Sequence, residues 1–106
     1  DSLDGEFNPE VTAILPLNVN PQITLVGIID LLVITPTKAR IIDYKTDLSR
    51  HAEPEYRKQL SVYYHVLDEW YPEKDVTASL FYTSDGSRVQ IEPLTIGAVR
   101  SLVQNR

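Results

Sequence analysis

The apolar positions of this chain fall into runs that predict strands in its first half. Residues 11–17, VTAILPL, are aliphatic and β-branched, with Pro16 pushing the segment toward a sheet edge or a strand end. The following NVNP predicts a turn. Residues 23–34, ITLVGIIDLLVI, form an almost unbroken apolar run between Pro21 and Pro36, the pattern of a central strand covered on both faces. A turn about TPTK leads to residues 39–46, ARIIDYKT, and so short a connection predicts an antiparallel hairpin.

The period then changes. Tyr56, Leu60, Tyr63, Leu67 and Trp70 recur three or four positions apart, which predicts one face of a helix from about Pro54 to Tyr71, begun by Pro54 and stopped by Pro72. Residues 76–83, VTASLFYT, and 88–94, RVQIEPL, flank the turn signal Asp85-Gly86 and predict a second hairpin. The tail 95–104, TIGAVRSLVQ, predicts a short helix starting at Thr95 and weakened by Gly97. The expected order is β-β-β-α-β-β-α, an α/β chain of the α+β kind without internal repeat, low-complexity segment or linker.

Composition narrows the class. A length of 106 residues predicts one domain over 1–106, and 42% hydrophobic with 24% charged residues is the make-up of a folding chain. With no cysteine there is no disulfide framework, no thiolate zinc site and no cysteine-held iron–sulfur cluster, which fits a cytoplasmic protein. No apolar run approaches the roughly 20 residues that span a bilayer, so no membrane partner is expected. The net charge of −5 runs against nucleic-acid binding; the basic surface then lies elsewhere in a larger protein, or the acidity is a surface adaptation. The chain has no methionine, even at residue 1, and is expected to be an excised piece of a longer protein.

Three charges sit where apolar residues are expected. Asp30 lies inside LVGII-D-LLVI, where a lone buried carboxylate costs several kcal/mol unless paired or ligated. Asp43 and Lys45 interrupt ARII-D-Y-K, and the two-residue period of a strand puts both on one face with Tyr44 on the other. If the two runs pair, Asp30 comes close to Asp43. Two adjacent carboxylates repel unless a proton or cation lies between them, and a hard divalent ion suits such oxygen ligands. An ion of this kind can hold a phosphate oxygen and acidify water, while Lys45 orients that water or stabilises the transition state.

Gly27-Ile28-Ile29-Asp30, then Asp43-Tyr44-Lys45-Thr46, then Gln59-Leu60-Ser61-Val62-Tyr63 resemble the G-x-x-D, D-Y-K-T and Q-x-x-x-Y series of the RecB-like branch of the PD-(D/E)xK nuclease superfamily, in order, spacing and element, from about Glu10 to Glu92. The resemblance implies a restriction-endonuclease-like core with a mixed central sheet flanked by helices. It implies Asp30 and Asp43 as metal ligands, the Tyr44 backbone carbonyl as a third, Lys45 as the catalytic lysine, and Gln59 and Tyr63 as a helical pair supporting the site or touching DNA. Mg²⁺ or Mn²⁺ is the implied cofactor and DNA the implied partner. Glu10 falls near a position where related sequences often carry an acid. The family usually has a preceding helix that supplies a further ligand, often histidine; no residue before Asp30 here is histidine, so that helix is expected to be missing.

Plainer readings stand beside these. Asp30, Asp43 and Lys45 could form a buried structural salt bridge, although two acids for one base leave a charge in excess. Tyr63 could be a core aromatic and Gln59 a solvated residue, Arg57 and Lys58 read as a solvated face, and Trp70 and Tyr71 read as core. His51 and His65 lack a ligand-like partner at short spacing and are left out of the site. The function expected is metal-dependent, exonuclease-type hydrolysis of DNA phosphodiesters, as the C-terminal nuclease module of a helicase–nuclease in repair or recombination, with an ATP-dependent helicase motor in the same chain or complex, or as a stand-alone RecB-like exonuclease; the isolated chain is expected to cleave poorly or not at all. The alternative is a non-catalytic nuclease-like module that binds DNA ends or acts as a scaffold.

Overall fold

The computed structural model describes residues 5–17, 22–46 and 51–104. In chain order these form β1 (Glu6–Leu17), β2 (Ile23–Ile34), β3 (Lys38–Lys45), α1 (Glu53–Trp70), β4 (Asp75–Tyr82), β5 (Ser87–Ile91) and α2 (Ile96–Gln104). The expected order is therefore observed, a mixed sheet with two helices. The turn expected at NVNP, residues 18–21, lies outside the described residues.

The five strands lie in sequence order, β1 to β5. β1–β2, β2–β3 and β4–β5 pair antiparallel, whereas β3 and β4 run parallel. A parallel neighbour needs a long crossover, and α1 provides it. Pro54 stands in the first turn of α1, where its missing N–H costs nothing. The helix buries Leu60, Tyr63, Val66 and Leu67 against Ala13, Leu15, Ile29, Ile41 and Leu80 of the sheet. α2 adds Val99 to the same core, and its first turn is capped where expected, the Thr95 hydroxyl accepting from Ala98 N at 3.1 Å. In the second hairpin Gly86 takes a φ of 74°, and Asp85 Oδ1 accepts from Ser87 N at 2.9 Å. No described helix is long and apolar enough to cross a membrane.

Three expectations need correction. β1 begins at Glu6 rather than residue 11, because pairing with Val33 and Ile34 of β2 extends a strand that its polar residues do not announce. β2 is not covered on both faces: Leu25, Gly27 and Ile29 face α1, but Val26 and Ile28 are 66% and 57% exposed, with Ile14 beside them across the β1–β2 ladder. Trp70 is 47% exposed and not core, since it ends α1 beyond the sheet, while Tyr71 packs partly against the core.

β1 and β2 also share an irregularity. Their register skips Glu10 and Asp30, which stand opposite each other, and Glu10 adopts a φ of 55°, a conformation costly for a residue with a Cβ. The buried positions of β2 change phase there, from Ile29 to Leu32. The bend falls at Asp30.

Candidate active site

β2 and β3 pair only from Leu31–Ile42 to Ile34–Ala39. One step further the same register brings Asp30 opposite Asp43, but the ladder has ended. Asp30 Oδ2 accepts from Tyr44 N at 2.9 Å, so its side chain takes the place of the missing main-chain bond. From this point the edge of β2 is open to α1, and Asp43, Tyr44 and Lys45 pair with Leu80, Phe81 and Tyr82 of β4 alone. The acidic pair thus lies at the fork between two diverging strands.

Asp43 is the buried member, 3% exposed. Lys45 Nζ stands 2.9 Å from its Oδ2, an ion-pair distance, yet the approach is not that of a directed hydrogen bond and Oδ2 is left without one. Burial raises the Asp43 carboxyl to a pKa of about 6; Lys45 pulls it down and the adjacent Asp30 carboxylate pushes it up. Nearly isolated from water and beside a second acid, this carboxylate is short of positive charge.

Lys45 projects from the same face, as the strand period predicts, with Nζ 4.1 Å from the centre of the Tyr56 ring. Tyr44 points away and meets Phe81 edge-on, with centroids 6.0 Å apart. Because a residue in an extended strand directs its N–H and C=O to the same edge, the Tyr44 carbonyl faces the fork where its N–H already meets Asp30.

Gln59 and Tyr63 come over the open edge of β2 from α1. Gln59 Nε2 donates to the Tyr63 hydroxyl at 3.2 Å, and that hydroxyl lies against the main chain of Ile28. Burial raises the Tyr63 pKa, Gln59 opposes it, and Asp43 and Asp30 add to it, so the phenol stays neutral close to the acids. A Cβ added at Gly27 would come 2.6 Å from both Cε1 and the hydroxyl of Tyr63. Glycine here makes room for the tyrosine, so the first and third sequence motifs form one contact.

All six expected residues therefore gather at the fork: Asp30, Asp43, Tyr44, Lys45, Gln59 and Tyr63. Glu10 is exposed opposite Asp30, and among the described residues no group of three or more histidines, cysteines and acids could hold a metal. Sequence reasoning missed Tyr56, read only as part of a helix face, and Glu53, whose Oε2 accepts from the buried Tyr82 hydroxyl at 2.6 Å beside the Lys45 strand. Tyr56 precedes Gln59 by one turn, so helical spacing could have placed it over the site. His65 bonds the Leu94 carbonyl at 2.7 Å, Arg57 donates to the Glu92 carbonyl at 2.6 Å, and Lys58 pairs with Glu55 at 2.9 Å.

A protein-family model described as the PD-(D/E)XK nuclease superfamily matches residues 3–104. The chain belongs to the PD-(D/E)XK nuclease superfamily. Among solved structures, this member of the superfamily is similar to the crystal structure of SSO0001, with a TM-score of 0.67 and 19% identity over 93% of the chain. It spans 48% of that protein's length. At such identity the likeness bears on the fold alone, and the fold is the restriction-endonuclease-like one expected. No curated protein matches the chain. Membership of the superfamily suggests a nuclease, and its members usually use divalent metals.

Proposed function

We propose that this chain is a RecB-like nuclease module that hydrolyses DNA phosphodiesters, exonuclease-fashion, with Mg²⁺ or Mn²⁺. The observation that carries the reading is the buried Asp43 carboxylate, set against the Asp30 carboxylate with the Lys45 ammonium 2.9 Å from its Oδ2. A purely structural ion pair has no reason to bring a second acid against its buried carboxylate. The donor set fits the metal: Asp30, Asp43 and the Tyr44 carbonyl are all oxygens, and a Mg²⁺ ion completes its shell with water. When bound, such an ion polarises the phosphoryl group and makes water a better nucleophile.

The other groups act on the substrate side. Lys45 is a half-buried cation backed by the Tyr56 ring and is suited to hold a phosphate oxygen or the attacking water. Gln59 and Tyr63 hold the open edge of β2 and present neutral polar groups beside the acids. Attachment to a helicase motor, and a role in repair or recombination, belong to the same proposal and rest on the motif series alone.

The 106-residue chain alone is expected to cleave poorly, so the test is cleavage of end-labelled linear DNA by an active, longer form of the protein and its Asp30→Asn and Asp43→Asn variants, in Mg²⁺ or Mn²⁺ and in EDTA. Metal-dependent release of nucleotides by wild type, lost in both variants, is expected. Cleavage that survives EDTA or either substitution contradicts the assignment. Metal binding without cleavage under any condition replaces it with the non-catalytic, DNA-end-binding reading.

A further inference from the structure

The charge of −5 is unevenly spread. On the sheet face opposite α1, the outward residues of β3, β4 and β5 enclose a groove of about 200 Å³ whose lining joins Lys38, Arg40 and Arg88 to Thr77, Ser79 and Gln90, with Ile42 as its apolar member. No acid lines it. Asp75 starts the β4 row beside Lys38, yet among the described residues none of the three cations is engaged in an ion pair or hydrogen bond through its side chain. Three of the chain's ten lysines and arginines thus share one concave surface.

Apart from Ile42, the floor is polar as well. Arg40 is registered against Thr77, and Ser79 against Gln90, and Ser79 is only 7% exposed. Lys38 and Arg40 follow one another along β3 at the two-residue repeat, about 7 Å, and Arg88 stands two strands away, about 10 Å across. The cations form a diagonal track over hydroxyls. A track matches an anion that repeats along a polymer better than a single small ion does, and hydroxyl and guanidinium donors suit phosphate oxygens.

We infer that this outer-face groove, on β3–β5, binds the phosphate backbone of a nucleic-acid strand at a second site, on the opposite face of the sheet from the acidic fork. The choice of polymer rests on the nuclease reading; the anion chemistry does not. The groove would hold a stretch of strand outside the site, offsetting the repulsion that an acidic chain exerts on phosphate. Base edges play no part in the argument, so binding should be indifferent to sequence.

The test needs no cleavage and so fails or succeeds independently of it. The ¹⁵N-labelled chain is titrated in EDTA with a twelve-nucleotide single-stranded DNA, and affinity is measured by fluorescence anisotropy over a range of salt. Amide shifts centred on Arg40, Thr77, Ser79 and Arg88 are expected. Arg40→Glu/Arg88→Glu should weaken binding at least tenfold. The neutral Arg40→Gln/Arg88→Gln should weaken it less and lower the salt slope by about 1.4, the share of two phosphate contacts on a single strand. Unchanged melting midpoints and amide spectra elsewhere show that the variants fold, and a variant that unfolds leaves the shift map to decide. Shifts confined to the fork, or affinity unaltered in both variants, overturn the proposal. Equally tight binding of a poly-glutamate peptide overturns the nucleic-acid assignment in favour of an acidic protein segment.

Discussion

Replacing Asp43 by asparagine should stabilise the metal-free chain. The carboxyl is raised from its ordinary 3.8 to about 6 by burial and by Asp30, even with Lys45 beside it. At about 1.4 kcal/mol per pKa unit, the ionised form costs the native state on the order of 3 kcal/mol relative to the unfolded chain. The sign follows from proton uptake: between pH 4 and 6 the native state binds the extra proton, so stability from this group is full below 3.8 and is lost as pH rises through about 6. Asparagine resembles the protonated acid in shape and neutrality. At pH 8 the variant should therefore gain about 1–3 kcal/mol, and at roughly 4–8 °C per kcal/mol its melting midpoint should rise by at least several degrees. At pH 4 the advantage should disappear. The assay is thermal unfolding by circular dichroism in EDTA at pH 4, 6 and 8. A variant that melts well below wild type at pH 8 refutes the reasoning, because truncating a stabilising buried ion pair costs about 3–5 kcal/mol.

Lys45→Ala should abolish cleavage in an active form of the protein while leaving Mn²⁺ affinity nearly unchanged, since a cation is no metal ligand; wild-type turnover would remove Lys45 from the chemistry. Gly27→Ala should destabilise the chain by about 1–3 kcal/mol in chemical denaturation, because its Cβ would press on a tyrosine ring only 2% exposed. Combining it with Tyr63→Ala should cost less than the sum of the single changes, and strict additivity would mean that the two residues do not meet as described.

The positions of Asp30, Asp43 and Lys45 were legible because charge inside apolar β runs is an anomaly with few physical excuses, and the two-residue strand period assigns their face. Gln59 and Tyr63 were legible through their likeness to the Q-x-x-x-Y motif, helical spacing adding only that the two share a face. Other features lie beyond periodicity. An apolar run says that a strand is buried without saying by what, so the exposed Val26 and Ile28 look the same in sequence as Ile29. Residues 6–10 read as polar and become a strand only because the edge of β2 pairs with them. The seat that Gly27 makes for Tyr63 is a tertiary contact across 36 positions, and the Tyr56 ring against Lys45 is another. Each needs the strand–helix crossover before it exists.

An ion site at Asp30 and Asp43 differs from a structural strut in binding Mn²⁺, which reports its position directly through paramagnetic broadening of amide signals. Titrating the ¹⁵N-labelled chain with substoichiometric Mn²⁺ should broaden first the amides of Asp30, Asp43, Tyr44 and their neighbours, and Asp30→Asn/Asp43→Asn should abolish the effect there. Broadening that centres elsewhere, or that persists at the fork in the double variant, would contradict it.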